Sequence, residues 1–178
     1  MLNPRFSYGG GKIASELLAV NYGRKYFDCT LICRPHNVYG PDMGRQHVIP
    51  QFALRMKDSF AAQPHGVVDF PIQGTGEETR SFIHIDDFIR ALLCVMDQQE
   101  PLAIYHIGTD REVSIREVAQ LVAAACGCEI RIVPGRLLAG STPRRCPDVR
   151  KLKSLGFEPM VTLEEGVRRT AAWYVSHS

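Results

Sequence analysis

Cys29-Thr30-Leu31-Ile32-Cys33, running directly into Arg34-Pro35-His36-Asn37-Val38-Tyr39-Gly40-Pro41, is the stretch that decides the fold. Its first part is apolar and partly β-branched, bounded by Asp28 and Arg34, which is the pattern of a buried strand in a parallel sheet. Its second part carries two prolines and a glycine, which predict a loop without regular structure. A loop leaving the C-terminal end of such a strand is where α/β sheets present ligand-binding groups, so Asn37 is a candidate contact.

Upstream, Ile13, Leu17, Leu18 and Val20 recur at helical spacing and predict a helix continuing from Tyr8 to Lys25. Downstream, Val48 to Met56 reads as a helix and Val67 to Ile72 as a strand entering the turn Gln73-Gly74-Thr75-Gly76. Phe82 to Ile85 alternates before Asp86-Asp87, where a carboxylate is expected to cap a helix over Phe88 to Met96. Ala103 to Gly108 and Glu129 to Val133 read as further strands. Ser114-Ile115-Arg116-Glu117 and Thr162-Leu163-Glu164-Glu165 are capping boxes, each opening an amphipathic helix. Strands alternating with helices argue an α/β fold.

A net charge of +2 and no basic run of five residues give no reason to expect a nucleic-acid or membrane partner. The six cysteines are scattered, and Cys126-Gly127-Cys128 lacks the spacing of a zinc pair or a redox motif. They are expected to be free, mostly buried thiols in a reducing compartment. The histidines form no ligand pattern, so no metal is expected. No apolar leader or membrane-length run is present, and the expected location is cytoplasmic.

Chemistry enters with Tyr8-Gly9-Gly10-Gly11-Lys12. A helix stacks residues four apart on one face, and an ammonium beside a phenol favours the phenolate. Lowering a tyrosine by roughly three units requires about 4 kcal/mol, so a second positive charge is needed beside the lysine. The alternative is a plain helical surface pair. Three glycines cost a helix interior about 1 kcal/mol each, which points either to close approach of a ligand or backbone, or to a frayed terminus. Arg80 and the loop pair Arg144-Arg145 offer guanidinium forks that could clamp a diphosphate, against the alternative of solvated surface cations. His36 and His84 read first as hydrogen-bonded structure rather than as bases.

In order, Tyr8-x-x-x-Lys12, Arg34 to Pro41, Val48-Ile49-Pro50, Gly74 to Asp87, Tyr105-His106-Ile107-Gly108, Arg145-Cys146-Pro147-Asp148 and Leu155 to Pro159 resemble the extended short-chain dehydrogenase/reductase family. More narrowly, the resemblance is to its NAD-dependent nucleotide-sugar epimerases and dehydratases, and it covers nearly the whole chain. It implies that Tyr8 is the general base and that Lys12 holds the nicotinamide ribose and lowers the tyrosine. It implies further that Pro35 and Val38 line the nicotinamide side of the cleft. Asn37, Val48 and Ile49 would meet a nucleotide-diphosphate sugar, Arg80 and Arg145 its diphosphate, and Pro71, Ile72 and Gln73 its base. The family's homodimer, packed through the Tyr/Lys helix, is the expected assembly.

The family begins with a strand, a Gly-x-x-Gly-x-x-Gly turn and an acidic residue that reads the adenosine ribose, and none of these precedes Tyr8. The expected fold is therefore the C-terminal part of a Rossmann-like doubly wound parallel sheet plus a small α/β substrate-binding subdomain. Residues 1–45 are expected to belong to the cofactor domain and 46–178 mainly to the subdomain, with segments around 80–110 returning to the former. The expected function is an NAD-dependent nucleotide-sugar epimerase lacking its N-terminal half, with little NAD affinity of its own. The alternatives are a 4,6-dehydratase or an inactive nucleotide-sugar-binding or dimerisation fragment.

Overall fold

In the computed structural model, which describes residues 7–62, 65–137 and 140–177, helices alternate with short strands along the chain. Helix α1 (Ser7–Tyr26) leads to β1 (Leu31–Pro35) and β2 (Val38–Tyr39), then α2 (Val48–Ala62), β3 (Val67–Ile72), β4 (Thr79–Ser81) and β5 (Ile83–His84). Next come α3 (Ile85–Met96), β6 (Ala103–Ile107), β7 (Glu112–Ser114), α4 (Ile115–Ala125) and β8 (Glu129–Pro134). The chain continues through β9 (Arg144–Arg145) and α5 (Arg150–Lys153) to α6 (Leu163–Ser176). The result is the expected mixed α/β chain with parallel strands: β1 pairs with β6, β2 with β5 and β3 with β8, all parallel. A three-stranded sheet of order β7-β4-β9 joins them, antiparallel at β7 and parallel at β9.

Two hydrophobic clusters organise the packing. One gathers α2, α4 and α6 over β3 and β8, with Phe52, Met56, Phe70, Val118, Val122 and Tyr174 buried in it. The other packs α3 and the start of α5 on β1 and β6, through Ile83, Val95, Tyr105, Ile107, Leu152 and Phe157. Burying a side chain of this size contributes about 1.5–3 kcal/mol, so both clusters are substantial.

Both capping boxes form: Ser114 accepts from the Glu117 amide and Thr162 from the Glu165 amide. Other expectations need correction. The stretch from Arg34 to Pro41 is not irregular throughout, because Arg34 and Pro35 complete β1 and Val38-Tyr39 forms β2. Proline is tolerated at Pro35 because, among the described residues, β1 pairs on one side only, with β6. The cap of α3 is His84, whose imidazole accepts from the Asp86 amide, and neither aspartate caps the helix. Asp87 is instead buried and receives the amides of Met160 and Val161 and a guanidinium N–H of Arg90 at 2.7–3.0 Å, tying α3 to the segment before α6. All six cysteines are free, but only Cys128 is buried, because most of them sit at helix and strand ends. No group of side chains able to hold a metal occurs among the described residues. No helix among them is long and apolar enough to cross a membrane.

Candidate functional site

The C-terminal ends of β2 and β3, the start of α2 and the strands β4 and β9 surround a cleft of about 560 Å³. Of the residues expected to meet a nucleotide sugar, Asn37, Val48, Ile49, Gln73, Arg80 and Arg145 line it, as does Val38. Asn37 sits at a φ of 41°, in the left-handed region that asparagine tolerates, and its Nδ2 donates to the Ser81 carbonyl at 2.7 Å. This pins the loop between β1 and β2 onto the end of β4.

Arg80 and Arg145 come from segments far apart in sequence, yet they are direct register partners in the parallel pair β4–β9. Arg145 therefore lies in a strand, not in the loop expected for it. Arg80 donates to the carbonyls of Thr79 at 2.6 Å and Thr142 at 2.8 Å, while Arg145 reaches the Thr142 hydroxyl at 3.4 Å. Burial, and then the neighbouring Arg145, push the Arg80 guanidinium below its ordinary value. Neither makes a salt bridge to a carboxylate among the described residues, whereas Arg34, Arg90, Arg111, Arg116, Arg131 and Arg144 all do.

Among the lining residues that sequence reasoning missed, Arg55, His47 and Glu78 bring the most chemistry. Arg55, on α2, lies over the Phe70 ring at 4.3 Å and donates to the Pro71 carbonyl at 2.5 Å, again with no carboxylate salt bridge among the described residues. Its helix reads as amphipathic, and nothing local marks this arginine as facing a cleft. His47 brings an imidazole to the cleft. Its position immediately before Val48-Ile49 was the available signal. Glu78 is 9% exposed and accepts from the amides of Thr75 and Gly76 at 3.1 and 2.9 Å. Those bonds outweigh burial and hold the carboxyl below its usual range, while Gly74 at φ 81° leaves the room that the Glu78 carboxylate occupies.

Five expected site residues lie outside the cleft lining. Pro71 and Ile72 end β3, with Ile72 buried in the core and Pro71 contributing only its carbonyl to Arg55. Pro35 pairs with Ile107 at the end of β1. Tyr8 and Lys12 share a face of α1 as the spacing requires, with the Lys12 Nζ 5.5 Å from the Tyr8 ring centroid. Tyr8 is 75% exposed, so nothing described shields it from water. Around Gly9, Gly10 and Gly11 there is open space and no close backbone. The tyrosine that does line the cleft is unsuited to proton transfer: Tyr39 is buried, and burial drives its phenol far above the ordinary value. His84 is a buried cap, and His36 bonds His106 at 2.7 Å.

The donor set on α1 fits one end of a dinucleotide. An ammonium and a hydroxyl on one open helix face suit ribose hydroxyls. Among the described residues, no glycine-rich turn links a strand to a helix N-terminus to hold the phosphates.

Comparison with known proteins follows the same outline. The profile of the NAD dependent epimerase/dehydratase family matches residues 1–108. A probable GDP-L-fucose synthase of Oryza sativa subsp. japonica is 31% identical over 174 residues, which are 96% of this chain and 52% of that protein. The crystal structure of a UDP-glucose 4-epimerase from Thermotoga maritima, solved with UDP-glucose, superposes with a TM-score of 0.82 at 28% identity, covering 96% of this chain and 53% of that one. A dTDP-glucose 4,6-dehydratase from Streptomyces venezuelae, solved with NAD, gives a TM-score of 0.78 at 30% identity over 95% and 51% of the two chains. The chain thus spans about half the length of the relatives it matches.

Proposed function

The chain belongs to the NAD-dependent epimerase/dehydratase family, and we propose that it carries the substrate-binding part and the catalytic helix of a nucleotide-sugar epimerase. One observation carries this reading. Two guanidiniums without a carboxylate salt bridge among the described residues stand side by side on β4 and β9 in a cleft large enough for a small organic ligand. Paired arginine forks match the oxygens of a diphosphate, and neither is tied up in a salt bridge among the described residues. Asn37, Val48 and Ile49 then meet the sugar side, and Gln73 the nucleotide side.

In this reading Tyr8 accepts the proton of a sugar hydroxyl, and Lys12 stabilises the phenolate and holds ribose hydroxyls. Pro35 and Val38 flank the same end of the cofactor through the backbone. NAD, when bound, supplies the hydride acceptor. Residues 1–45, together with segments around 80–110, form the part that faces the cofactor, and 46–178 mainly the substrate part. The two separate hydrophobic clusters support that division. A 4,6-dehydratase shares the opening oxidation and is the second reading. A binding module without turnover is the third, favoured by the exposure of Tyr8 outside the cleft. Homodimerisation through α1 and a cytoplasmic location complete the proposal.

Calorimetric titration of the 178-residue chain with UDP-glucose and with GDP-mannose tests it. Binding of at least one, with uridine, guanosine and free sugar at least tenfold weaker, is the expected result. Equal affinity for nucleoside and nucleotide sugar would remove the diphosphate role of Arg80 and Arg145, and with it the argument.

A further inference from the structure

Among the described residues, most of helix α1 is exposed. Gly23 is its one buried residue among those described, packed so closely on Thr30 that a side chain there would collide. The side chains of Ser15 and Asn21 turn back to carbonyls of their own helix. The ion pair between α1 and the strands is that of Glu16 with Arg34, which donates from Nε at 2.9 Å and from Nη2. Glu16 lies one turn beyond Lys12, on the helix that carries both proposed catalytic groups.

Arg34 also faces His106, its register partner across β1–β6, with Nη1 3.4 Å from Nε2. His106 Nδ1 in turn lies 2.7 Å from His36 Nε2, and His36 immediately precedes Asn37 of the cleft. A guanidinium only donates, so His106 Nε2 accepts and the ring's single proton sits on Nδ1. That proton is donated to His36 Nε2, which leaves the proton of His36 on Nδ1. The arginine therefore fixes both tautomers.

We propose that His106 is a positioning residue which, through Arg34 and Glu16, registers α1 against the strand end bearing Asn37, and that it does so only while the His36–His106 pair is neutral. The reason is donor–acceptor counting. If His106 takes an extra proton, its Nε2–H faces the Arg34 N–H. If His36 takes it, His106 must accept on Nδ1 and carry its own proton on Nε2, which again faces Arg34. Either way a donor meets a donor at the same contact, and the link to Glu16 loosens.

Charged groups surround the pair. His106 faces Arg34 from β1 and, around a second cavity, Asp148, Arg150 and Lys151; Glu16 approaches from α1. His36 faces His106, Arg34 and Arg145. Glu16 and Asp148 are each already paired with an arginine, so cations predominate. Burial first, and then His106 and the two arginines, hold the His36 imidazole below its ordinary value.

The inference rests on α1 being the catalytic helix, but its test does not depend on nucleotide binding, so the two readings fail separately. Long-range nitrogen-edited NMR on the 178-residue chain at pH 7.5 should show both rings as Nδ1–H tautomers. Amide exchange in α1, corrected for intrinsic rates and referred to α4, should accelerate between pH 7.5 and 5.5 while that of α4 does not. His106→Gln retains an acceptor for Arg34 and a donor for His36, so it should keep the protection at pH 7.5, and the double variant His36→Gln with His106→Gln should also flatten its pH dependence. His106→Leu should lose the protection at both pH values. An Nε2–H tautomer at His106 would overturn the proposal. So would α1 protection that is indifferent to pH and to His106→Leu, or α1 amides unprotected at every pH.

Discussion

Replacing Arg145 with methionine should weaken nucleotide-sugar binding and leave the fold as stable as before, or slightly more so. Methionine keeps the length and apolar stem of the arginine and removes only its charged fork. A charge-assisted hydrogen bond contributes about 1.5–3 kcal/mol, so loss of one guanidinium–phosphate contact should cost about 10- to 150-fold in affinity. Stability should move the other way. Arg145 has one long bond, to the Thr142 hydroxyl at 3.4 Å, and no carboxylate salt bridge among the described residues. It stands beside Arg80 on neighbouring strands. At the roughly 5 Å strand spacing, and with the dielectric of water, repulsion between the two charges amounts to about 0.8 kcal/mol. Its relief should raise the melting temperature by about 0–3 °C for a chain of this size. Titration calorimetry at two salt concentrations and a thermal melt read both quantities, and the dependence of affinity on salt should become shallower. Unchanged affinity, or a fall in melting temperature matching the loss of binding, would refute the reasoning, since Arg145 would then be a structural residue.

Asp87→Ala leaves the amides of Met160 and Val161 and the Arg90 guanidinium without their buried partner, and should cost about 3–5 kcal/mol in urea unfolding; a loss under 1 kcal/mol would mean that water replaces the carboxylate. Stability should fall as pH drops below about 6.5, because His84 and His36 are both held below the ordinary histidine value, chiefly by burial. The unfolded chain then binds more protons than the native one, so stability rises with pH across this window; urea midpoints at pH 7.5 and 5.5 check the sign, and equal midpoints contradict it. The apolar residues Leu18, Tyr22 and Tyr26 form one exposed stripe along α1, and Ile13 and Leu17 lie on another side. Sedimentation should therefore show self-association that Leu18→Lys with Tyr22→Lys reduces, whereas a monodisperse monomer before substitution would argue that these stripes need no cover.

Local chemistry was enough for much of this chain. The strand over Val67–Ile72, the capping boxes at Ser114 and Thr162, and the Tyr8/Lys12 face each depend on residues a few positions apart, where side-chain period and capping geometry act directly. The order of motifs also determined the family. The site's decisive contacts are of another kind. Arg80 meets Arg145, Arg55 reaches Pro71, Asp87 receives Met160 and Val161, and Arg34 reaches Glu16 and His106, all through pairings that periodicity does not encode. A proline-bearing stretch reads as loop by itself, yet strand partners at Ile107 and Ile83 turn parts of it into β1 and β2. An aspartate before a helix reads as its cap, but burial makes the histidine's lone pair the acceptor and sends Asp87 to another segment. The sequence by itself determined the longer helices and strands and the chemical types at the cleft. Only the tertiary structure decided which charges stand together uncompensated, because side chains far apart along the chain must first be brought within a few ångströms before their fields combine.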